Sequence, residues 1–415
     1  MKRSVALVAA GLAALAIGCG SDDDSSTSGS TGASGTEAST QSAAADGGSA
    51  AASKEPLKIG SIITETGTFA SSNGPAALGL KAWAEYVNKN GGINGRPVEL
   101  TIKDDKNDPS VALAAMKEFA ADEDIVAVVG SVSAVEETWA PVAAQAKLPV
   151  VGDFPHTPAS YTTEYVFPQG TTVGTTNYAQ AYAAIKLAEA PKVAVMYCAE
   201  VPSCAEIPKI IEPAAEELGG ELVNAQGVPA TAPNYDAQCS AAQKAGADAV
   251  IMALGVGTII SMAQSCESIG YTPKYIVQTT SLTPEEGDIS AMADSTYGVV
   301  QTFPWVADST PAQRAFQEGI KAANVPAKKL GAAVSLAWTA GALFEEAVKR
   351  IDGEVTRESL AESLWNLPPD TTLDGLAPPL NYKANAPSPE VKCFFAMKLS
   401  GGEWTAPWDE PFCQE

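Results

Sequence analysis

Histidine is nearly absent from this sequence, which carries His156 alone in 415 residues. The seven cysteines include no CxxC pair, so the usual histidine and cysteine frameworks of zinc sites are missing. The sequence also lacks a GxSxG elbow, a P-loop and an HExxH motif, and nothing in it assembles its polar residues into a catalytic site. We therefore predict that the protein is not an enzyme and holds no metal and no cofactor.

Positive charge is scarce as well. The chain has 26 lysines and arginines against 49 aspartates and glutamates, which gives a formal net charge of −23. A body this acidic repels nucleic acid and anionic lipid, so we expect no nucleic-acid partner. After residue 18 there is no hydrophobic run long enough to span a bilayer.

The N-terminus has the pattern of an export signal. Lys2 and Arg3 precede an apolar stretch over residues 5–18, which is shorter than the ~20 residues of a membrane-spanning helix. The following Ala16-Ile17-Gly18-Cys19 resembles the bacterial lipobox, with Ala16 where leucine is usual. We predict a signal peptide over residues 1–18 and a lipidated Cys19 as the only membrane contact; an ordinary signal peptide cut nearby is the alternative.

Residues 20–54 contain no Val, Ile, Leu, Met or aromatic residue. Such a segment cannot bury enough apolar surface to fold, so we predict a disordered tether over residues 19–54. As a flexible coil it reaches on the order of 30 Å.

The six cysteines after Cys19 fall into three pairs that are close in sequence. Fifteen pairings are possible, and an exported protein favours disulfides over a metal site. Cys239 and Cys266 lie on successive predicted helices, over residues 235–245 and 258–269, which pack on one sheet face in a βαβ array. Pairing of nearest neighbours predicts the disulfides Cys198–Cys204, Cys239–Cys266 and Cys393–Cys413.

Strands and helices alternate along the rest of the chain, and the alternation occurs twice. The predicted strands are residues 57–63, 98–103, 125–129, 192–197, 221–226, 249–253, 275–278 and 392–399. Several of them, such as residues 125–129, are continuously apolar, which is typical of a parallel sheet covered on both faces. The pattern predicts an α/β protein with two doubly wound units.

The first half carries a specific resemblance. The run GGINGRPVEL over residues 91–100, in register with Asp104-Asp105 and with Asn107-Asp108-Pro109, resembles the leucine/isoleucine/valine-binding proteins, the type I solute-binding components of ABC importers. The resemblance implies two Rossmann-like lobes, residues 55–170 plus 304–387 and residues 171–303 plus 388–415. Three crossing segments, near residues 167–172, 302–305 and 385–391, would join them.

This resemblance implies an extracytoplasmic binding lipoprotein that captures a small polar ligand between its lobes, an amino acid or a related compound, and delivers it to an ABC transporter permease. A ligand-sensing receptor component on the same fold is the alternative, and an enzyme is a more remote one.

Ligands of open α/β sheets bind beyond the carboxyl ends of the strands. The loops there are residues 66–69, 130–134, 153–157, 198–204, 255–258 and 279–283. The candidate ligand-binding residues in them are Thr66, Phe69, Ser131, Ser133, His156, Thr157, Val201, Pro202, Gly255, Thr279 and Thr280. The resemblance implies that a serine and a threonine bind the carboxylate and ammonium of an amino acid, and Ser133, with Ser131 as alternative, and Thr157 are the nearest matches. Helix N-capping is the other interpretation of the serines.

Two departures concern the ligand. Val201-Pro202-Ser203 stands where relatives that bind branched amino acids often have a tyrosine, and Thr279-Thr280-Ser281 offers hydroxyls where an acid can face the ammonium. Glu285 or Glu286 are substitute acids. We therefore expect a ligand other than a standard branched-chain amino acid.

Overall fold

The computed structural model describes residues 54–408 and 410–414. The predicted signal peptide, Cys19 and residues 20–53 of the predicted tether lie outside the described residues. None of the helices within the described ranges is long and apolar enough to cross a membrane.

The first sheet has five parallel strands in the order β2-β1-β3-β4-β5. They are β1 Leu57–Ile63, β2 Val98–Asp104, β3 Ile125–Val129, β4 Val150–Val151 and β5 Val166–Phe167. The helices between them are α1 Ala70–Asn73, α2 Ala76–Lys89, α3 Pro109–Ala121, α4 Glu136–Gln145 and α5 Ala159–Thr162. β3 is buried over its whole length because all five of its residues are apolar and helices cover both faces of the sheet.

The second sheet has eight strands, seven of them in the order β12-β11-β10-β9-β8-β6-β7, while β13 pairs with β11. They are β6 Lys192–Cys198, β7 Glu221–Val228, β8 Ala249–Ala253, β9 Lys274–Gln278, β10 Thr296–Val300, β11 Cys393–Ser400, β12 Glu403–Thr405 and β13 Phe412–Cys413. The strands β6 to β10 are parallel, and β11 joins β10 antiparallel. The helices here are α6 Val173–Tyr182, which continues into a π-helical turn, α7 Ile207–Glu217, α8 Asp236–Lys244 and α9 Val256–Ser268.

After β10 the chain returns to the first sheet. The helices of this return are α10 Pro311–Ala322, α11 Ala332–Lys349 and α12 Arg357–Trp365. A Cβ at Gly79 of α2 would lie 2.3 Å from the carbonyl oxygen of Val334 on α11, so glycine permits this close helix contact. The predicted lobe boundaries remain a prediction, which this packing supports.

Three chain segments lie side by side where the chain passes between the two sheets. The Thr171 amide donates to the carbonyl of Gln301 at 3.0 Å, and the Thr171 hydroxyl donates to the carbonyl of Cys393 at 2.7 Å. Gly170 is packed so closely that an added Cβ would lie 2.5 Å from the Gln301 oxygen. These segments overlap or adjoin the crossing segments that the sequence predicts.

The structure pairs the six cysteines as the sequence predicts, with Cα–Cα distances of 5.7 Å for Cys198–Cys204, 5.1 Å for Cys239–Cys266 and 4.0 Å for Cys393–Cys413. The second joins α8 to α9, and the third joins β11 to β13.

Candidate ligand-binding cleft

A small cavity of about 50 Å³ lies between the carboxyl ends of the strands of the two sheets. Its wall on the first sheet comes from α1 and the loops after β3 and β4, and its wall on the second comes from the loops after β6, β8 and β9. A second pocket of about 360 Å³ adjoins it and shares Phe69, Cys198 and Leu254 with it. The two spaces form one cleft, with the small cavity as its inner part.

The wall on the first sheet combines aromatic and amide groups. Phe69, Phe154 and His156 line it together with Ser72 and Asn73 of α1. The rings of Phe154 and His156 are stacked, with centroids 5.0 Å apart and an angle of 5° between their planes. Phe69 has a φ of 68°, a left-handed conformation that is rare for a bulky side chain.

The wall on the second sheet begins with the Cys198–Cys204 disulfide, whose two cysteines line the cavity together with Val201. The disulfide closes the loop after β6 and so fixes the position of Val201. Beyond it, Gln278 and the turn Thr279–Ser281 provide the polar part of this wall. Thr279 has a φ of 51°, which is strained for a β-branched residue.

Hydrogen bonds cross the cleft directly. The Thr280 hydroxyl donates to Oδ1 of Asn73 at 2.8 Å, and the amide of Val256 donates to the Ser72 hydroxyl at 3.3 Å. The hydroxyls of Ser281 and Ser72 are 3.4 Å apart. We call these contacts the interlobe latch, and they show that the structure is in a closed conformation.

Among the described residues that line the cavity, none carries a charged side chain. The one titratable group there is His156, and burial lowers the pKa of its imidazole to about 4. The ring is therefore neutral at physiological pH, and the inner cleft offers no full charge to a ligand.

The structure brings five of the eleven candidate residues to the cavity wall. They are Phe69, His156, Val201, Thr279 and Thr280. Gly255 lines the outer pocket instead, where it precedes α9. Pro202 begins the short 3-10 turn after Val201, and its assignment to ligand binding stays a prediction. Thr66 donates its hydroxyl to Asp104 and also lies apart from the inner cavity.

Ser131, Ser133 and Thr157 are buried and do not line the inner cavity. The Ser131 hydroxyl accepts from the amide of Ile62, and the Ser133 hydroxyl donates to the buried carboxylate of Asp105 at 2.5 Å. The Thr157 hydroxyl is buried and has no hydrogen-bond partner among the described residues. Their assignment to ligand binding stays a prediction.

Among the residues of the wall that were not singled out from the sequence are Ser72, Asn73, Phe154 and Gln278. Ser72 and Asn73 follow the predicted loop over residues 66–69 and form a single turn with no apolar periodicity. Gln278 carried a usable signal, because it is a polar residue at the carboxyl end of an otherwise apolar strand.

Two buried carboxyl groups lie beneath the first wall. Glu136 begins α4, Asp153 follows β4, and their side chains lie close enough to interact. Burial first, and then the charge of Asp153, raises the pKa of Glu136 well above its usual value. Burial also raises the pKa of Asp153, although its interaction with Glu136 opposes that rise. Glu136 therefore holds its proton beside Asp153.

No group of three or more His, Cys, Asp or Glu side chains within the described ranges is arranged to hold a metal ion. The cleft presents neutral polar and apolar side chains on both walls, which is the usual lining of a small-molecule pocket.

A family model described as periplasmic binding protein matches residues 56–403, which is most of the chain. The chain belongs to the periplasmic binding protein family. Membership implies an extracytoplasmic location and a small-molecule ligand. The family resemblance and the fold class predicted from the sequence are confirmed, and the fold is that of the type I members.

Solved structures show the same fold at low sequence identity. A branched-chain amino acid ABC transporter protein from Thermus thermophilus with bound valine has a TM-score of 0.74 at 15% identity, covering 87% of this chain and 97% of that one. A fatty acid ABC transporter substrate-binding protein from Thermomonospora curvata has a TM-score of 0.73 at 19% identity, covering 87% and 93%. A leucine-binding protein from Thermotoga maritima has a TM-score of 0.69 at 20% identity, covering 84% and 97%.

A curated relative is similar over a shorter stretch. The chemotactic signal transduction system substrate-binding protein BasB of Halobacterium salinarum is 37% identical over 87 residues. The match spans 19% of this chain and 19% of that relative's length.

Proposed function

We propose that this protein is the solute-binding component of an ABC importer, which captures a small molecule between its lobes and presents it to a permease. The observation that carries the proposal is the closed cavity between the carboxyl ends of the parallel strands of the two sheets, whose chain crossings are adjacent and hydrogen-bonded. This geometry suits a hinge that opens and shuts over a ligand. Its walls offer amide and hydroxyl groups on both sides, which suits the binding of a small polar molecule.

We propose that the ligand is a small polar molecule, an amino acid or a related compound, as the sequence predicts. The solved structures of this fold include proteins named for valine, leucine and fatty acids, so the shared fold leaves the ligand class to the lining residues. The proposed ligand contacts are the candidate residues that line the cavity, together with Thr157.

The N-terminal prediction completes the proposal. A lipidated Cys19 and the tether after it would hold the binding body at the outer face of the cell membrane, near its permease. Mass spectrometry of the mature N-terminus tests this assignment, and an unmodified N-terminal residue would contradict it.

A second function is favoured by the similarity to BasB, whose name couples substrate binding to chemotactic signalling. The same closed state would then be recognised by a signalling receptor. Co-purification with a permease or with a receptor distinguishes the two functions.

The central test exposes the purified protein to a cell extract and examines it by native mass spectrometry, followed by identification of any captured molecule. We expect one small molecule per chain and a smaller radius of gyration by X-ray scattering when it is bound. A protein that captures nothing and whose scattering profile does not change would contradict the proposed function.

A further inference from the structure

We propose that the cleft selects an uncharged ligand that has a carbonyl oxygen as its polar group and a short apolar body, and that it discriminates against a free ammonium group. This inference rests on the proposed function, because it assigns the chemical class of the captured solute. It follows from the side chains of the inner cavity and their hydrogen bonds.

The acidic groups near the cleft lie outside the inner cavity. Asp105 accepts from Thr64 and Ser133, one oxygen of Glu286 accepts from Thr283, and Glu200, which lines the outer pocket, accepts from the Ala230 amide. None of these carboxyl groups lines the inner cavity. An ammonium ion buried there would lose its hydration and gain no counter-charge, which is a large cost.

The amide groups of the wall are oriented by the protein. Gln180 Nε2 donates to Gln278 Oε1 at 2.8 Å, and the Thr280 hydroxyl donates to Asn73 Oδ1 at 2.8 Å. In both amides the oxygen is therefore occupied, and the NH₂ group is the one left for a ligand. Two amide donors on opposite walls of one cavity suit an acceptor such as a carbonyl oxygen.

The remaining surface suits a short apolar body. Phe69, Phe154, Val201, Ile207 and Leu254 line the cavity from both sides. Its volume of about 50 Å³ is well below the roughly 300 Å³ at which drug-sized pockets begin, so the closed cleft accommodates a compact molecule.

Four probes that all contain the four-carbon isobutyl skeleton separate the charges. They are 3-methylbutanamide, 3-methylbutanoate, valine and 2-methylpropylamine. We expect 3-methylbutanamide to bind most tightly in calorimetric titration of the purified protein, with valine and the amine weaker by about tenfold or more. Valine or the amine binding as tightly as the amide, the carboxylate binding more tightly, or no binding of the amide at millimolar concentration would each overturn the ligand class.

A variant of Gln278 tests the same inference from the side of the protein. Gln278→Glu keeps the size of the side chain and its acceptor for Gln180 while adding a negative charge to the wall. We expect it to bind the amide about tenfold more weakly and 2-methylpropylamine more tightly than the wild type does. An unchanged preference in a variant that melts like the wild type would contradict the inference, and the ranking of the wild type decides it even without a folded variant.

The extract experiment keeps the two proposals apart. Capture of a molecule that carries an ammonium group would leave the solute-binding function intact and overturn the ligand class. Capture of an uncharged carbonyl compound would support both.

Discussion

At the scale of single residues, the Glu136–Asp153 pair makes the stability of the protein depend on pH. Its two carboxyl groups are buried and Glu136 keeps its proton, so the native protein retains a proton that the unfolded chain releases above a pH of about 4. Ionisation of both groups would leave two unscreened like charges beneath the loop that carries Phe154 and His156.

The sign of the effect follows from the raised pKa of Glu136. Between the unfolded and the folded pKa the native state binds more protons, so the free energy of unfolding falls as pH rises. In Glu136→Gln this loss disappears, because the amide cannot ionise. We expect the variant to gain stability relative to wild type between about pH 5 and pH 8, by about 1.4 kcal/mol for each unit of the removed pKa shift. Urea denaturation at both pH values measures it.

Glu137→Gln, one residue along and exposed, is the control and should change the pH dependence much less, because the charge of Glu137 contributes only a small part of the raised pKa of Glu136. Burial raises the pKa of Glu286 to about 8, which acts in the same direction and is common to all three proteins. An equal pH slope in the wild type and Glu136→Gln would show that the pair does not hold its proton.

Residues of the site were predictable where their loop position alone decided their role. Val201 and Thr280 follow strands directly, and both reach the cavity. Ser133 follows a strand too, but its hydroxyl donates to Asp105, which is close in space and 28 residues away along the chain. The sequence gives no sign of such a distant partner. Gln278 depends likewise on Gln180, which is 98 residues away.

At the scale of elements, the sequence predicts those strands and helices whose bounds are marked by a pattern of apolar residues. The strands β3 and β8 have the predicted bounds because each is a continuous buried apolar run. β1 has its predicted bounds too, although Lys58 and Ser61 interrupt its apolar residues. β4 and β5 have two residues each, too few to show a pattern. α6 was missed because its buried face is largely polar, with Thr175, Thr176, Asn177 and Gln180 inside.

The disulfides differ in the length of chain that they close. Cys239 and Cys266 are 27 residues apart, whereas Cys198 and Cys204 are 6 apart. Because a longer closed loop restricts the unfolded chain more, the double variant Cys239→Ala/Cys266→Ala should lose roughly 3 to 4 kcal/mol of stability. Cys198→Ala/Cys204→Ala should lose about 1 kcal/mol less, since its loop is shorter.

Equilibrium unfolding in urea measures both variants against the wild type. The short-loop variant should also weaken the binding of a cleft ligand, because it frees the loop that carries Val201, while the long-loop variant should leave affinity unchanged. The reverse order of stability losses would contradict this account of the two disulfides.

At the scale of the whole molecule, the two lobes meet at several places, among them the crossing segments, the interlobe latch and the hydrogen bond from the Ala332 amide to the Leu282 carbonyl. The crossing segments near Thr171, Gln301 and Val391 join them covalently, and the interlobe latch joins Ser72 and Asn73 to the second lobe across the cleft. The crossings have hydrogen bonds that a rotation can preserve, whereas the latch exists only when the lobes are closed. The latch therefore stabilises the closed state before any ligand contributes.

Asn73→Ala tests the latch. It removes the acceptor for the Thr280 hydroxyl, which is buried in the closed state and reaches water when the lobes open, so closure should lose about 1 to 2 kcal/mol. That loss shifts the ratio of closed to open molecules by roughly 5- to 30-fold. We expect a larger radius of gyration for the unliganded variant by X-ray scattering, with little change in melting temperature because the core of each lobe is untouched.

Asn90→Ala, at the exposed end of α2, is the matched control and should scatter like the wild type. A scattering profile of Asn73→Ala identical to both would mean that the hinge alone sets the closed state, and that the hydrogen bonds across the cleft only follow it.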